Sequence, residues 1–496
     1  MVYRIGVCGT DARTLLSALV ISTAKGSVQT EEMKGVIVRG THGMEKYSLE
    51  KGWPVDFIET ADNSVNGYAD TVTKALLNRE LDLVMPMPEK LLFNGFVDLL
   101  EKNGLSDKVI GLKESGAFVE GDKIECKKLC AEYNIPVAEW CEVDARDYKA
   151  VLEETLKMIN RFGGAVIKYP YSASGKGARI ILDAWEIRDV YSRLIFDYKE
   201  TYKSMFGKKK WPLLIESRMS GAEISFTTLV DKHGNYRILP TSLDYPERFP
   251  GPASRNNPIT GGMGSISPHP METSFLFEMA GKKIIDPFIK ALKEKDILRP
   301  CVLYPGCIVS FDSFMKPVDI RMCEMNIRPG EPEFQTVAKR TQNLGELLKA
   351  TIEGNLINVE PETRKNQVSL CSALVVGPGG EEGRKGYPWS SVRRETIEID
   401  TKYLNKKKLQ LIPSAMEHDG NNFISNGGRV CYLTANSEVS DNENFSDASE
   451  KLRIKILSSL RNDKVKLVRT EDKGNRFQLR EDIGAHYKKA EEIFNF

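Results

Sequence analysis

Over its first ~110 residues the chain alternates short apolar runs with amphipathic stretches, a rhythm that few folds tolerate. RIGVCG, GVIVR, VDFIE, LDLVMP and KVIGL read as buried strands, with helical patterns such as ARTLLSALVISTAKG and ADTVTKALLNRE between them. Strands that alternate with helices pair in parallel through right-handed crossovers, which predicts a doubly wound sheet. Ligands of such sheets sit beyond the carboxyl ends of the strands, and the loop Gly9 to Arg13 is one such end.

At 496 residues the chain exceeds one ordinary core, and a length prior gives roughly three to four domains. After Gly111 the pattern changes. A Lys-rich helix is expected from Gly121 to Tyr133 and another near Tyr148–Phe162, followed by AVIKYP, a Gly/Ser-rich loop and the strand RIILD. From Leu213 to Asn326 strands dominate, interrupted by one helix over Thr273 to Glu294, and near Glu360 another unit begins. Lys+Arg 70 against Asp+Glu 69 leaves a net charge of +1, so no global field favours nucleic acid and any anion site must be local. The start passes straight into a strand pattern and no apolar stretch reaches about 18 residues, so neither a signal peptide nor a membrane span is expected. The nine cysteines are scattered and read as reduced, cytosolic thiols. Cys126 and Cys130, four apart on a helix, fit buried thiols better than a zinc site, since no second ligand pair accompanies them.

Three stretches carry chemistry. KYPYSASGKGAR can lay backbone N–H groups along phosphate oxygens, with Lys168 and Lys176 adding charge, although a plain hairpin would look the same. IESRMSGAE runs a strand into a hinge and then a carboxylate, Glu223, suited to adenine and ribose or to solvent. DIRMCEMNIRPGEPEFQ places Glu324 and Asn326 two apart, together with Met322 under strict alternation. A carboxylate and an amide so placed can hold a hard cation, or form a polar outer face. Arg328, Gly330, Glu331 and Glu333 crowd the loop just downstream.

In this order the pieces resemble the ATP-grasp fold, and within it the chain resembles the glycinamide ribonucleotide synthetase (phosphoribosylamine–glycine ligase) family nearly end to end. LDLVMPMPEKLLFNGFVD, VEGDKIECKKLCAEYNIPVAEW, AVIKYPYSASGKGARI, IESRMSGAEISF, TGGMGSISPHP, CEMNIRPGEPEFQ, SNGGRVCYLTA and REDIGAH each resemble a family segment. The resemblance implies an α/β chain, α+β overall. Its parts would be a doubly wound acceptor-binding domain over 1–112, an ATP-grasp core over 113–130 and 212–356, a lid over 131–211, and a C-terminal domain over 357–496. Lys123 and Lys168 would meet ATP phosphates, with Ser174, Gly175, Lys176 and Gly177 in the lid loop. Glu216, Ser217 and Met219 would follow the adenine hinge, Glu223 would take the ribose, and Glu324 and Asn326 would hold Mg2+ or Mn2+. Arg328, Asp244 and Glu331 would serve the ligation, and Gly9, Thr10, Arg13 and Glu89 the acceptor.

The implied reaction passes through an acyl phosphate that an amine captures to form an amide, in de novo purine biosynthesis. The implied partners are small molecules (ATP, an amino acid and an amine) in the cytoplasm, in a monomer or dimer, without nucleic acid or membrane. The departures gather at the acceptor. Where the family has Gly-x-Gly-Gly-Arg-Glu-His, this chain has Gly9-Thr10-Asp11-Ala12-Arg13-Thr14-Leu15, and an acid there opposes a phosphate. Met87 replaces a turn glycine, and Asp244-Tyr245-Pro246-Glu247-Arg248 replaces Asp-His-Lys-Arg. An amino-acid ligase using a different amine, and a non-catalytic ATP-binding protein, are the alternative readings.

Overall fold

The computed structural model describes residues 2–27, 31–171, 177–205, 211–254, 256–313, 316–377, 386–389, 392–440, 443–468 and 476–485. Strands Val2–Gly9, Glu32–Arg39, Asp56–Ile58 and Leu83–Pro86 form a parallel sheet, with Glu32–Arg39 and Leu83–Pro86 flanking Val2–Gly9. Their apolar runs are buried on both faces, as a sheet covered by crossover helices requires. Helix Ala12–Thr23 lies directly on this sheet: a Cβ at Gly35 would fall 2.1 Å from the Ala18 carbonyl oxygen. KVIGL is not a full strand. Only Val109 bridges to Val84, because the Gly111 amide turns away to the Pro300 carbonyl.

The next sheet is antiparallel, in the order Trp140–Asp144, Pro212–Ser217, Ala165–Lys168, Ala178–Ile181. Helices Tyr148–Phe162 and Ile187–Met205 cover it and give it a core of its own, including Val151, Ile167, Leu194 and Ile215. Pro212–Ser217 is hydrogen-bonded on both edges here, so this unit extends past residue 211, where the sequence reading ends the lid.

Strands Tyr236–Ile238, Thr228–Val230, Cys301–Phe311 and Pro317–Asn326 make a third sheet, with Ala222–Ser225 on Cys301–Phe311. Helix Ser274–Ala280 continues through a π turn into Asp286–Glu294 and packs against it. Leu243–Asp244 and Gly264–Ser267 leave that sheet for one built on Gln367–Val376, Arg429–Glu438 and Gln410–Pro413. The C-terminal segment is therefore stitched to residues 243–267 rather than set apart. A single core cluster joins it to the N-terminal sheet through helix Glu333–Arg340. All nine cysteines are free thiols. Among the described residues no helix is long and apolar enough to cross a membrane.

Candidate active site

A cleft of about 430 Å3 opens where four of the five sheets meet. Its first wall is the start of helix Lys123–Glu132, capped by Asp122, whose carboxylate accepts from the amides of Ile124 (3.0 Å) and Glu125 (3.2 Å). Lys123 and Lys127, one turn apart, face the cleft from this helix, and Lys168 arrives from the end of Ala165–Lys168. Burial pulls the Lys123 ammonium below its usual range. Lys168 is also buried, yet Glu216 beside it holds it protonated.

Glu216 has a role in its side chain that the sequence reading does not assign. Its carboxylate, 2% exposed, lies 2.7 Å from Lys168 Nζ and 3.0 Å from Lys127 Nζ, which ties the lid-side sheet to the helix. The side chain is thus consumed in an ion triad, which leaves only the backbone of this segment for a base. Ser217 accepts from the Glu139 amide (3.1 Å) and Met219 does not line the cleft, so the expected hinge residues do not converge there through their side chains. Gly177 lines the cleft, whereas Ser174, Gly175 and Lys176 lie outside the described residues.

The far wall is the hairpin Cys301–Phe311 and Pro317–Asn326. Its register slips: Gly306 faces Glu324 while Cys307 faces Met322, leaving Cys323 as an extra residue. This bulge breaks the strict alternation expected from sequence. Met322 and Met325, each 1% exposed, belong to the core cluster and also border the cleft, which Glu324 and Asn326 line beside them. Asn326 Nδ2 donates to the Tyr304 carbonyl (3.3 Å) and Glu324 Oε1 (3.4 Å), which leaves its Oδ1 and the second Glu324 oxygen for a cation. Among the described residues no cluster of three or more His, Cys, Asp or Glu side chains makes a complete metal cage. Two oxygen donors still fit Mg2+, which takes one or two protein ligands and completes its shell with phosphates and water.

Glu223 stands across from this pair. Although Glu223 is exposed, desolvation by the cleft and then repulsion from Glu324, Glu333 and Glu247 push its carboxyl up to about 7. His269 fixes the local backbone, with Nε2 3.0 Å from the Glu223 carbonyl oxygen and Nδ1 accepting from the Met271 amide (3.0 Å).

The other end of the cleft sets carboxylates against the guanidinium groups of Arg328 and Arg429. Arg328 Nε lies 3.4 Å from both Glu89 and Glu120, and Glu120 also accepts from the Ile327 amide (2.8 Å). Tyr304 donates to Glu333 (2.5 Å), and Arg429 pairs with Glu331 (3.3 Å). Asp244 Oδ1 is buried without a hydrogen-bond partner. Burial raises the carboxyls of Asp244 and Glu331, with Glu333 and Glu223 adding to the rise of Asp244. The Tyr432 hydroxyl lies beside Glu331, whereas the orphaned Asp244 oxygen is the mark of a site waiting for a donor.

Of the expected acceptor residues, Glu89 and Arg13 border this cleft and Thr10 borders an adjoining chamber. Gly9 lines neither; its backbone is packed so that a Cβ would fall 2.4 Å from Thr14 Oγ1. Lys127, Tyr304, Glu120 and Arg429 carry no assignment from the sequence. Only Lys127 had a local signal, its one-turn spacing from Lys123.

The family model described as "Phosphoribosylglycinamide synthetase, ATP-grasp (A) domain" matches residues 121–334. The chain is 30% identical over 315 residues to a phosphoribosylamine–glycine ligase of Caldanaerobacter subterraneus, covering 63% of this chain and 69% of that one. It is 28% identical over 361 residues to the Vibrio cholerae enzyme of that name, covering 72% and 76%. The crystal structure of a Thermotoga maritima phosphoribosylamine–glycine ligase superposes with a TM-score of 0.68 at 20% identity, over 97% of this chain and 100% of that one. The biotin carboxylase domain of a Hydrogenobacter thermophilus 2-oxoglutarate carboxylase, solved with MgADP and bicarbonate, shares the fold at TM-score 0.60 and 16% identity, over 99% and 98%. With the geometry and these likenesses together, the chain belongs to the phosphoribosylamine–glycine ligase family.

Proposed function

We propose that the chain is an ATP-dependent ligase that joins glycine to phosphoribosylamine, releasing ADP and phosphate. The observation that carries this reading is the polarity of the cleft. Cations and two oxygen donors gather at one end, and Arg328 with Glu331 and the orphaned oxygen of Asp244 at the other. ATP phosphates belong at the first end, met by Lys123 and Lys168. Glu324 and Asn326 would hold Mg2+ or Mn2+, which supplies charge neutralisation to the phosphate oxygens when bound.

At the other end Arg328 orients the glycine carboxylate, and the ammonium faces Asp244. The floor there has no spare room: a Cβ at Gly262 (φ 94°) would fall 2.2 Å from Pro332 Cδ and 3.3 Å from Asp244 Oδ1. A carboxylate oxygen of glycine attacks the γ-phosphorus, and the bond to ADP breaks. The amine nitrogen of the acceptor then attacks the acyl carbon, and phosphate leaves with the former carboxylate oxygen. The amine must shed a proton in that step. Glu331 borders both the cleft and the adjoining chamber, has the Tyr432 hydroxyl beside it and a raised affinity for protons, so it is suited to receive it. Both steps need water kept out, which the lid-side sheet provides on closing over the phosphate end.

The test is ADP release by the purified chain with ATP, glycine, Mg2+ and phosphoribosylamine formed in situ from ribose 5-phosphate and ammonia. Release should require all four components and stop with EDTA. Turnover that persists in EDTA, or that ignores glycine, contradicts the reading.

A further inference from the structure

Beyond the carboxyl ends of the N-terminal strands lies a second chamber of about 390 Å3, which shares Glu331 and Arg429 with the cleft. On the ligase reading, which the role assigned to this chamber presupposes, an amine acceptor enters here and meets the acyl carbon at that shared border. An acceptor that carries a phosphate needs a cation on this wall, and most of the obvious donors are already committed.

The N-terminus of helix Ala12–Thr23 is filled from within. Asp11 accepts there from the amide (3.1 Å) and hydroxyl (3.2 Å) of Thr14, and from Arg13 Nη2 (2.6 Å). Arg13 spends its other end on the Pro329 carbonyl. An incoming phosphate would meet a carboxylate in the place where helix amides would otherwise receive it. Arg429 is committed as well, to the carbonyls of Gly261 and Gly262 and to Glu331.

Arg39 is different. It ends strand Glu32–Arg39 and lines the chamber with φ at 84°, a left-handed conformation that a bulky side chain rarely adopts. Strain of this kind persists where the surroundings enforce it, and it concentrates at ligand sites. Its Nη1 donates to Thr60 Oγ1 (3.0 Å), which anchors the guanidinium, while Nε is buried without a partner. Among the described residues no carboxylate lies within 4.0 Å of it. The nearby Asp62 turns one oxygen, Oδ1, to the amide (2.7 Å) and hydroxyl (2.5 Å) of Ser64, so Arg39 feels its charge without being paired to it. The chamber is also lined by Glu417, Asn426 and Ser414, which suit sugar hydroxyls, and the Glu417 carboxylate would repel a phosphate laid against it.

We propose that Arg39 takes the phosphate monoester of the amine acceptor and is the specificity-determining residue of this chamber, in place of the helix N-terminus that Asp11 has closed. The chamber then has a direction: phosphate at Arg39, hydroxyls toward Glu417 and Asn426, and amine at Glu331.

Two measurements on the full chain test this. In turnover, phosphoribosylamine is compared with ribosylamine, formed from ribose and ammonia, in wild type, Arg39→Gly and Arg39→Lys. Wild type should favour the phosphorylated amine. Arg39→Gly should raise KM for it roughly 10- to 100-fold and erase the preference, leaving KM for ATP and glycine unchanged, and Arg39→Lys should restore part of it. Arg39→Gly also relieves the left-handed backbone, so it should melt no lower than wild type, and a fold defect cannot stand in for lost recognition. Independently of turnover, titration with ribose 5-phosphate should show binding to wild type that Arg39→Gly weakens by a similar factor. If ADP release ignores every amine, the ligase reading fails while the titration still decides Arg39. Equal ribose 5-phosphate affinity in wild type and Arg39→Gly overturns the assignment. So does a wild type that uses both amines equally well.

Discussion

Replacing Glu216 by glutamine removes the negative charge from between two buried ammonium groups. Glu216 sits 2.7 Å from Lys168 and 3.0 Å from Lys127, and their side chains are 2%, 10% and 4% exposed in that order, so water cannot take over the lost partner. Breaking a buried pair from one side costs about 3–5 kcal/mol, because a charge is left uncompensated. Here two cations are left facing each other, and the cost falls on the joint between the lid-side sheet and helix Lys123–Glu132. Trp140, Trp185 and Trp211 belong to that region, three of the five tryptophans, so fluorescence reports it selectively. With a urea dependence of about 2 kcal/mol/M for a unit of this size, the lid transition should move down by about 2 M. Replacing the whole triad with Lys127→Met, Lys168→Met and Glu216→Leu should recover most of the loss, since a well-packed apolar set needs no charge balance. A Glu216→Gln shift below about 0.5 M, the scale of a solvent-exposed pair, would refute the claim that the triad is buried and coupled.

Two further outcomes are expected from the cleft. Desolvation by the cleft and the neighbouring acids raise the Glu223 carboxyl to about 7 in the folded chain, so between about pH 4.5 and 7 the folded state holds a proton that the unfolded state has released. Its contribution to stability therefore falls as pH rises through that window; Glu223→Gln should melt higher than wild type at pH 8 and equally at pH 4, and a difference independent of pH counts against it. Glu324→Ala removes the only carboxylate of the proposed metal pair and should lower glycine-dependent ADP release by more than the roughly 10–100-fold typical of changes behind a metal ligand. Wild-type turnover in that variant would remove Glu324 from the site.

Whatever a local pattern encodes is legible in the sequence. Continuous apolar runs mark the parallel strands, and the period of Tyr148–Phe162 marks a helix whose bounds the structure reproduces. The oxygen pair Glu324 and Asn326 is visible because two residues two apart on a strand share a face whether or not a bulge precedes them. The position of Met322 is not, because the bulge at Cys323 exists only relative to the partner strand, and register is a property of the pair. The role of Glu216 is hidden for a related reason. Its partners come from a helix some 90 residues upstream in the chain (Lys127) and from the adjacent strand (Lys168), and no local pattern brings the three together. The pairing of Gly264–Ser267 with Gln367–Val376, about 100 residues apart, is likewise written only in the assembled core. Asp11 holds more local information than its charge alone. An aspartate just ahead of a helical run is an N-cap, which already says that the helix end is occupied.

The central claim is that the carboxylate of the amino acid is phosphorylated before the amine attacks, and isotope transfer tests it directly. With glycine carrying 18O in both carboxylate oxygens, together with unlabelled ATP, phosphoribosylamine and Mg2+, one labelled oxygen should pass to phosphate in each turnover. The bond from carbon to that oxygen breaks when the amine displaces phosphate. Phosphate released without the label, at the same rate as ADP, would contradict the claim.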